Sequence, residues 1–247
     1  MLDSAILNAL RAVLDEADPT LPRGLITAEN QLQTYECDGL TNMRAVPSAV
    51  VLPRTAGQVQ AIVRICDQHR IPFVARGAGT GLSGGALPAE GGIVISFARM
   101  NRILDIDIPN QRVIVEPGVI NAHVTEAVAP YGYFYAPDPS SQTVCTIGGN
   151  VAENAGGAHC LKYGFTTTHV LAMDVVLPSG ELVTFGSSAP DAPGYDLPGV
   201  FVGSEGTLGV VVGATLRLLP RPARTATAAA FFVWYRKWVS ASPKYRN

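Results

Sequence analysis

The stretch RGAGTGLSGG, residues 76–85, sets a literal G-x-G-x-x-G at Gly79, Gly81 and Gly84 directly after the apolar run IPFVA. In a dinucleotide fold the third glycine opens a helix, whose free amides and dipole hold a pyrophosphate. Here ALPAEGG follows, with Pro88, Gly91 and Gly92 in the way, and then IVISF, which reads as a strand. No helix can start in time, so the loop joins strand to strand and the match to the Rossmann fingerprint is accidental. What remains is a backbone with glycine at 77, 79, 81, 84 and 85, plus Thr80 and Ser83. Amides without side chains can close around an anion as a nest, and two phosphates are the natural guest. Arg76, at the strand's end, either adds charge there or is solvated.

The rest of the chain alternates between short strands and helices. SAVVLP reads as a strand, Thr55 caps a helix over AGQVQAIVRICDQHR with Val59, Ile62, Val63 and Cys66 on one face, and IPFVAR is a second strand. Such a strand-helix-strand unit is expected to be parallel and right-handed. RILDIDI and RVIVEPG follow as strands around PNQ, then a helix over NAHVTEAVAPYG with Val124, Ala127 and Val128 inward. VLAMDVVLPSGELVTFG is a hairpin turning at Ser179-Gly180, and LGVVVGATLRLLPRP is a long strand ended by prolines. The N-terminus carries Ile6, Leu7, Leu10, Val13 and Leu14 at helical spacing behind Asp3 and Ser4, either of which can cap. The expected class is α+β, a parallel strand-helix layer followed by a mostly antiparallel sheet.

Composition narrows the partners. A net charge of −2 and the absence of any Lys/Arg run longer than two residues argue against nucleic acid. The N-terminal stretch lacks the basic leader and unbroken apolar run of a signal peptide, and no stretch reaches the length of a membrane span. Cys37, Cys66, Cys145 and Cys160 have no C-x-x-C spacing and read as free thiols of a reducing cytoplasm. His69 ends a helix, His123 lies within one, and His159 and His169 lack ligand spacing, so no metal site is expected.

Two further segments share the character of the first loop. APDPSSQTVCTIGGNVAENAGGAHCLKYG, residues 136–164, contains TIGGNVAENAGG, a dozen residues almost without bulk. Such a segment packs poorly by itself and should lie against a flat, non-protein surface. Asn150 and Asn154 share a helix face if Gly148-Gly149 opens that helix. GSEGTLGVV, residues 203–211, enters the closing strand and can offer backbone groups to the edge of a ring.

Together the three segments resemble the flavin-binding domain of the vanillyl-alcohol oxidase and p-cresol methylhydroxylase superfamily. PFVARGAGTGLSGG, PDPSSQTVCTIGGNVAENAGGAHCLKYG, PSGELVTFG and FVGSEGTLGVV are most similar to the family of the glycolate oxidase flavin subunit and the D-lactate and D-2-hydroxyglutarate dehydrogenases. The resemblance runs from about residue 21 to 222 and implies a p-cresol methylhydroxylase-type FAD-binding fold. It implies that Arg76, Gly77, Ala78, Gly79, Thr80, Gly81, Leu82 and Ser83 wrap the FAD pyrophosphate. Pro137, Asp138, Ser140, Ser141, Thr146, Gly148, Gly149, Asn150, Asn154 and Gly156 are then expected along the cofactor. Glu205, Gly206, Gly209, Val210 and Val211 are expected at its flavin or ribityl part. Superfamily members that attach flavin through the first loop carry histidine where Thr80 stands, so FAD is expected to be non-covalent.

The resemblance also implies oxidation of a small 2-hydroxy acid, with hydride passing to the flavin, and partner subunits of an oxidase complex. Residues 1–46 are expected to form an N-terminal helical and extended segment, 47–222 the FAD-binding domain, and 223–247 an atypical tail. The family's substrate domain, with its catalytic or metal-binding histidines and carboxylate-gripping arginine, is not recognisable after LLPRP. A truncated chain, and no catalytic residue within it, is the expectation. The tail clusters Phe231, Phe232, Trp234, Tyr235 and Trp238 beside cationic residues, so membrane contact is at most peripheral. The alternatives are an FAD-binding module without turnover and, through the shared flavin fold, an enolpyruvoyl-glucosamine reductase-like enzyme.

Overall fold

A computed structural model describes residues 2–14, 24–187 and 194–224. The helices and strands run in the order α1 (Ser4–Leu14), β1 (Leu25–Ile26), α2 (Glu29–Leu32), β2 (Ala49–Val51), α3 (Ala56–His69), β3 (Phe73–Arg76) and β4 (Ile93–Ser96). The second half continues with β5 (Ile103–Asp107), β6 (Arg112–Val115), α4 (Asn121–Val128), β7 (Tyr133–Phe134), α5 (Ile147–Glu153) and α6 (Cys160–Tyr163). It closes with β8 (Val170–Val176), β9 (Leu182–Gly186), α7 (Leu197–Phe201), β10 (Val210–Arg217) and β11 (Leu219–Pro220). The tail expected over 223–247 lies almost wholly outside the described residues.

The first sheet has the order β1-β2-β4-β3. β2 and β3 are both parallel to β4, which lies between them, and β1 pairs antiparallel with β2. The two strands flanking α3 are thus parallel as expected but not neighbours. Helix α3 begins where the Thr55 hydroxyl accepts from the Gln58 amide (3.2 Å). It ends at Arg70, which takes the left-handed conformation (φ 52). Its buried face, Val59, Ile62, Val63 and Cys66, packs with Leu10 and Leu14 of α1 against Ala49, Val51, Ile93 and Ile95. Full burial of each such aliphatic side chain is worth about 1.5–3 kcal/mol. In α1 it is Asp3 that caps, its carboxylate accepting from the Ala5 amide (3.1 Å).

The second sheet, β5-β6-β10-β8-β9, is antiparallel throughout. Its core joins Val113, Val115, Met173, Val175 and Leu216 to Val124 and Val128 of α4 and Ile147 and Val151 of α5. The β8–β9 hairpin turns at Gly180 (φ 79), whose carbonyl accepts from Arg64 Nη2 (2.8 Å) and Gln60 Nε2 (3.0 Å) of α3. That contact, with Val176, Val210 and Val212 in the core under α3, ties the antiparallel sheet to the parallel one. The class is α+β. Among the described residues no helix is long and apolar enough to cross a membrane.

Candidate functional site

A cavity opens where the β3–β4 loop, helix α5 and the loop entering β10 converge. The first contributor is the glycine loop, which leaves β3 at Arg76. Gly79 has φ 70 and Gly84 φ 76, conformations that side chains rarely tolerate. Gly77 lies against Thr146, and any Cβ at Gly77 would overlap the Thr146 hydroxyl. The first two glycine-rich segments therefore meet in space.

Helix α5 starts at Ile147 with Thr146 as its N-terminal flank. Glycine within a helix costs about 1 kcal/mol relative to alanine, so two in the first turn need a reason. At Gly148 the reason is Pro117, whose Cβ would lie 2.8 Å from an added methyl. At Gly149 it is open space, since an added methyl would meet only the Thr146 hydroxyl, at 3.5 Å. Asn154 does not continue the face of Asn150. It ends the helix in the left-handed conformation (φ 48), and its Oδ1 accepts from the Thr167 amide (3.0 Å).

The third loop is hooked onto the end of α5. Gly203 and Glu205 donate their amides to the carbonyls of Val151 (2.8 Å) and Ala152 (2.9 Å). Glu205 itself is left-handed (φ 53).

Of the residues singled out from the sequence, Arg76, Gly77, Ala78, Gly79, Thr80 and Gly81 line the cavity. So do Ser141, Thr146, Gly148, Gly149, Asn150, Glu205, Gly206, Gly209 and Val211. The others lie elsewhere. Leu82 is exposed, and Ser83 sits outside the lining with its hydroxyl on Glu153 Oε2 (3.3 Å). The Pro137 carbonyl accepts from Asn121 Nδ2, and Ser140 is exposed. Asp138 pairs with the ring Nδ1 of His159 (2.5 Å) and accepts from its amide. Gly156 abuts Cys160 and Phe165, and Val210 is in the core beneath α3.

Sequence reasoning passed over Glu153, which lines the cavity one helical turn after Gly149 and on the same face of α5. Its carboxyl is pushed above the ordinary range by burial and then by the neighbouring Glu205, against the lowering effect of the Ser83 hydroxyl. Arg76 is buried, and its guanidinium donates to the carbonyls of Cys37 (2.8 Å) and Ala86 (3.3 Å). Burial lowers its pKa. Two buried polar atoms of the lining, Thr146 Oγ1 and Asn150 Nδ2, have no hydrogen-bond partner. Buried His169, which is not part of the lining, bonds through Nε2 to the Tyr163 carbonyl (2.9 Å), while its Nδ1 has no partner. Among the described residues no group of three or more His, Cys, Asp or Glu is placed to hold a metal ion.

Comparison with known proteins gives this cavity its context. The sequence pattern of the FAD binding domain family matches residues 47–186. Glycolate oxidase subunit GlcD of Escherichia coli (strain K12) is 51% identical over 219 residues, covering 89% of this chain and 43% of that protein. The GlcD subunit of Bacillus subtilis is 46% identical over 80% of this chain and 42% of its own length. D-2-hydroxyglutarate dehydrogenase of Stutzerimonas stutzeri is 37% identical over 90% and 47%. The chain thus spans less than half the length of these relatives. In three dimensions it superposes on an alkyldihydroxyacetonephosphate synthase with a TM-score of 0.77 at 22% identity, over 91% of this chain and 45% of that one, which shows a shared fold. The chain belongs to the FAD binding domain family, and FAD is its cofactor.

Proposed function

We propose that this chain is the cofactor-holding part of a flavin-dependent dehydrogenase of small 2-hydroxy acids, of the glycolate or D-lactate type. The names of its relatives support the reaction class. The observation that carries the cofactor's position is the pair of orphaned buried polar atoms, Thr146 Oγ1 and Asn150 Nδ2, in the same cavity as a side-chain-free backbone. A buried donor or acceptor left unpaired costs about 1–3 kcal/mol, which a bound polar ligand would recover.

The lining fits FAD in its chemistry. The amides of Gly77–Thr80 suit the pyrophosphate. Carboxylates repel phosphate but accept from hydroxyls, so the corner formed by Glu153 and Glu205 suits the cofactor's sugar or ribityl hydroxyls. Thr146 and Asn150 suit polar groups further along. When bound, FAD supplies a hydride acceptor for the α carbon of the hydroxy acid, and this chain's residues bind and orient it.

The attachment is non-covalent. Thr80 offers no nucleophile comparable to histidine, and Cys145, the one thiol in the lining, has its pKa raised chiefly by burial, which keeps it protonated and inert. Four free thiols are compatible with a cytoplasmic setting, and the remaining subunits of an oxidase complex are the expected partners. Titration of the purified chain with FAD should give a saturable yellow complex, and acid precipitation should leave all the flavin in the supernatant. Flavin retained in the washed pellet would contradict non-covalent binding, and no complex at all would contradict the reading itself.

A further inference from the structure

We infer that residues 35–43, which precede the matched domain, form a strap that holds the glycine loop in its binding shape, with Arg76 as the positioning residue rather than a phosphate ligand. This rests on the reading that FAD occupies the cavity, and concerns a strap of which no residue lines it.

The base of the loop is clamped first. Arg76 Nη2 donates to the Cys37 carbonyl (2.8 Å), and Nη1 to the carbonyls of Ala86 (3.3 Å) and Tyr35 (3.5 Å). The guanidinium carbon lies 5.6 Å from the centre of the Tyr35 ring, within cation–π range. One planar fork thus links the strap to both ends of the glycine loop. The guanidinium also fills the space beside Gly79, where a Cβ would overlap it.

The tip of the loop is braced separately. A methyl on Gly39 would sit 2.5 Å from the Gly81 carbonyl oxygen and 2.9 Å from that of Thr80, so the strap's backbone lies directly on the loop's backbone. Beside Gly84, Leu40 and Met43 come within 3.6 Å of an added methyl. The strap is itself closed, since Arg44 pairs with Glu36 (2.5 Å), the Ala45 amide donates to the Glu36 carbonyl (2.8 Å), and the Leu40 amide donates to Asp38 Oδ1 (2.8 Å).

The physical need is plain. A segment this rich in glycine has no side chains to fix its own conformation and loses more backbone entropy on ordering than any other kind. A nest of amides binds well only if that ordering precedes binding. The strap supplies it from behind, leaving the inner side of the loop to the ligand.

The test compares Gly39→Ala with Gly57→Ala, a matched control whose added methyl on α3 meets only the Thr55 hydroxyl, at 3.9 Å. Gly39 is not among the residues with positive φ, so alanine is acceptable to its own backbone. Gly39→Ala should weaken FAD binding roughly tenfold, mainly through faster release, while Gly57→Ala binds as the parent does. Arg76→Lys keeps the charge but cannot span the carbonyls. It should also weaken binding about as much as Gly39→Ala does, whereas a phosphate ligand replaced by an equally charged lysine would keep most of its affinity, and parental affinity in this variant overturns the positioning role. Should a variant fold poorly, the parent protein serves: FAD should slow tryptic cleavage after exposed Arg44, which lies outside the cavity. Parent protein that binds FAD while Gly39→Ala binds equally well, or while cleavage at Arg44 is unchanged, overturns the strap. Parent protein that fails to bind FAD overturns the earlier reading instead.

Discussion

Gly149→Leu is expected to abolish measurable FAD binding and to leave the fold intact. The residue lies in the first turn of α5 and lines the cavity, and nothing but the Thr146 hydroxyl approaches the place its Cβ would take. A leucine there clashes with no protein atom at its Cβ and adds helix propensity worth about 0.8–1 kcal/mol over glycine. Its remaining atoms must go into the space reserved for ligand. The expected result is an unchanged or slightly raised melting temperature with FAD affinity reduced by at least about 100-fold, a loss near 2.7 kcal/mol. Calorimetric titration and thermal melting of the same preparation measure both. Gly79 is a poorer probe of the same idea. Its φ of 70 and its contact with the Arg76 guanidinium mean that a side chain would distort the loop before reaching the ligand.

Gly118→Ala, by contrast, should cost stability. The Gly118 amide donates to the Met100 carbonyl (2.7 Å), joining the chain after β4 to the chain after β6 and so the parallel sheet to the antiparallel one. A methyl there would overlap the Phe97 carbonyl and lie 2.6 Å from that of Met100, both backbone atoms that cannot swing aside. The junction is buttressed by Glu116, whose buried carboxylate accepts from the Arg102 amide (2.7 Å) and guanidinium (2.8 Å). Overpacking of this kind costs about 2–4 kcal/mol, at the upper end for a single methyl. For a chain of this size the melting temperature should fall by about 5–15 °C. Urea denaturation of parent and variant gives the free energy, and equal midpoints would mean that the two sheets can shift apart freely at this point.

The local signals were the readable ones. Thr55 before an amphipathic run announced α3 and its cap, and Ser179-Gly180 between two alternating runs announced the β8–β9 hairpin. The glycine loop was legible because Pro88, Gly91 and Gly92 forbid the helix that its spelling suggests. Strand order was not: β4 enters between β2 and β3, and nothing local to those strands encodes which neighbour each will have. Asn154 was misplaced because four-residue spacing assumed a helix that in fact stops there, in a left-handed turn that asparagine tolerates. Arg76 pointed toward an anion in sequence, but its carbonyl partners at Tyr35 and Cys37 lie some 40 residues away along the chain. Glu153 carried a usable signal, its four-residue spacing from Gly149 along α5, which the emphasis on glycine obscured.

FAD is expected to lie between the glycine loop, the start of α5 and the loop entering β10. Amide hydrogen exchange with and without FAD tests it most directly. Binding should slow exchange at Gly77–Gly81, at Gly148–Asn150 and at Glu205–Val211, while the β8–β9 turn at Ser179–Gly180, which is held by Gln60 and Arg64 of α3 and lines no part of the cavity, exchanges as before. Saturable FAD binding with no protection in those three segments would mean that FAD binds elsewhere on the chain.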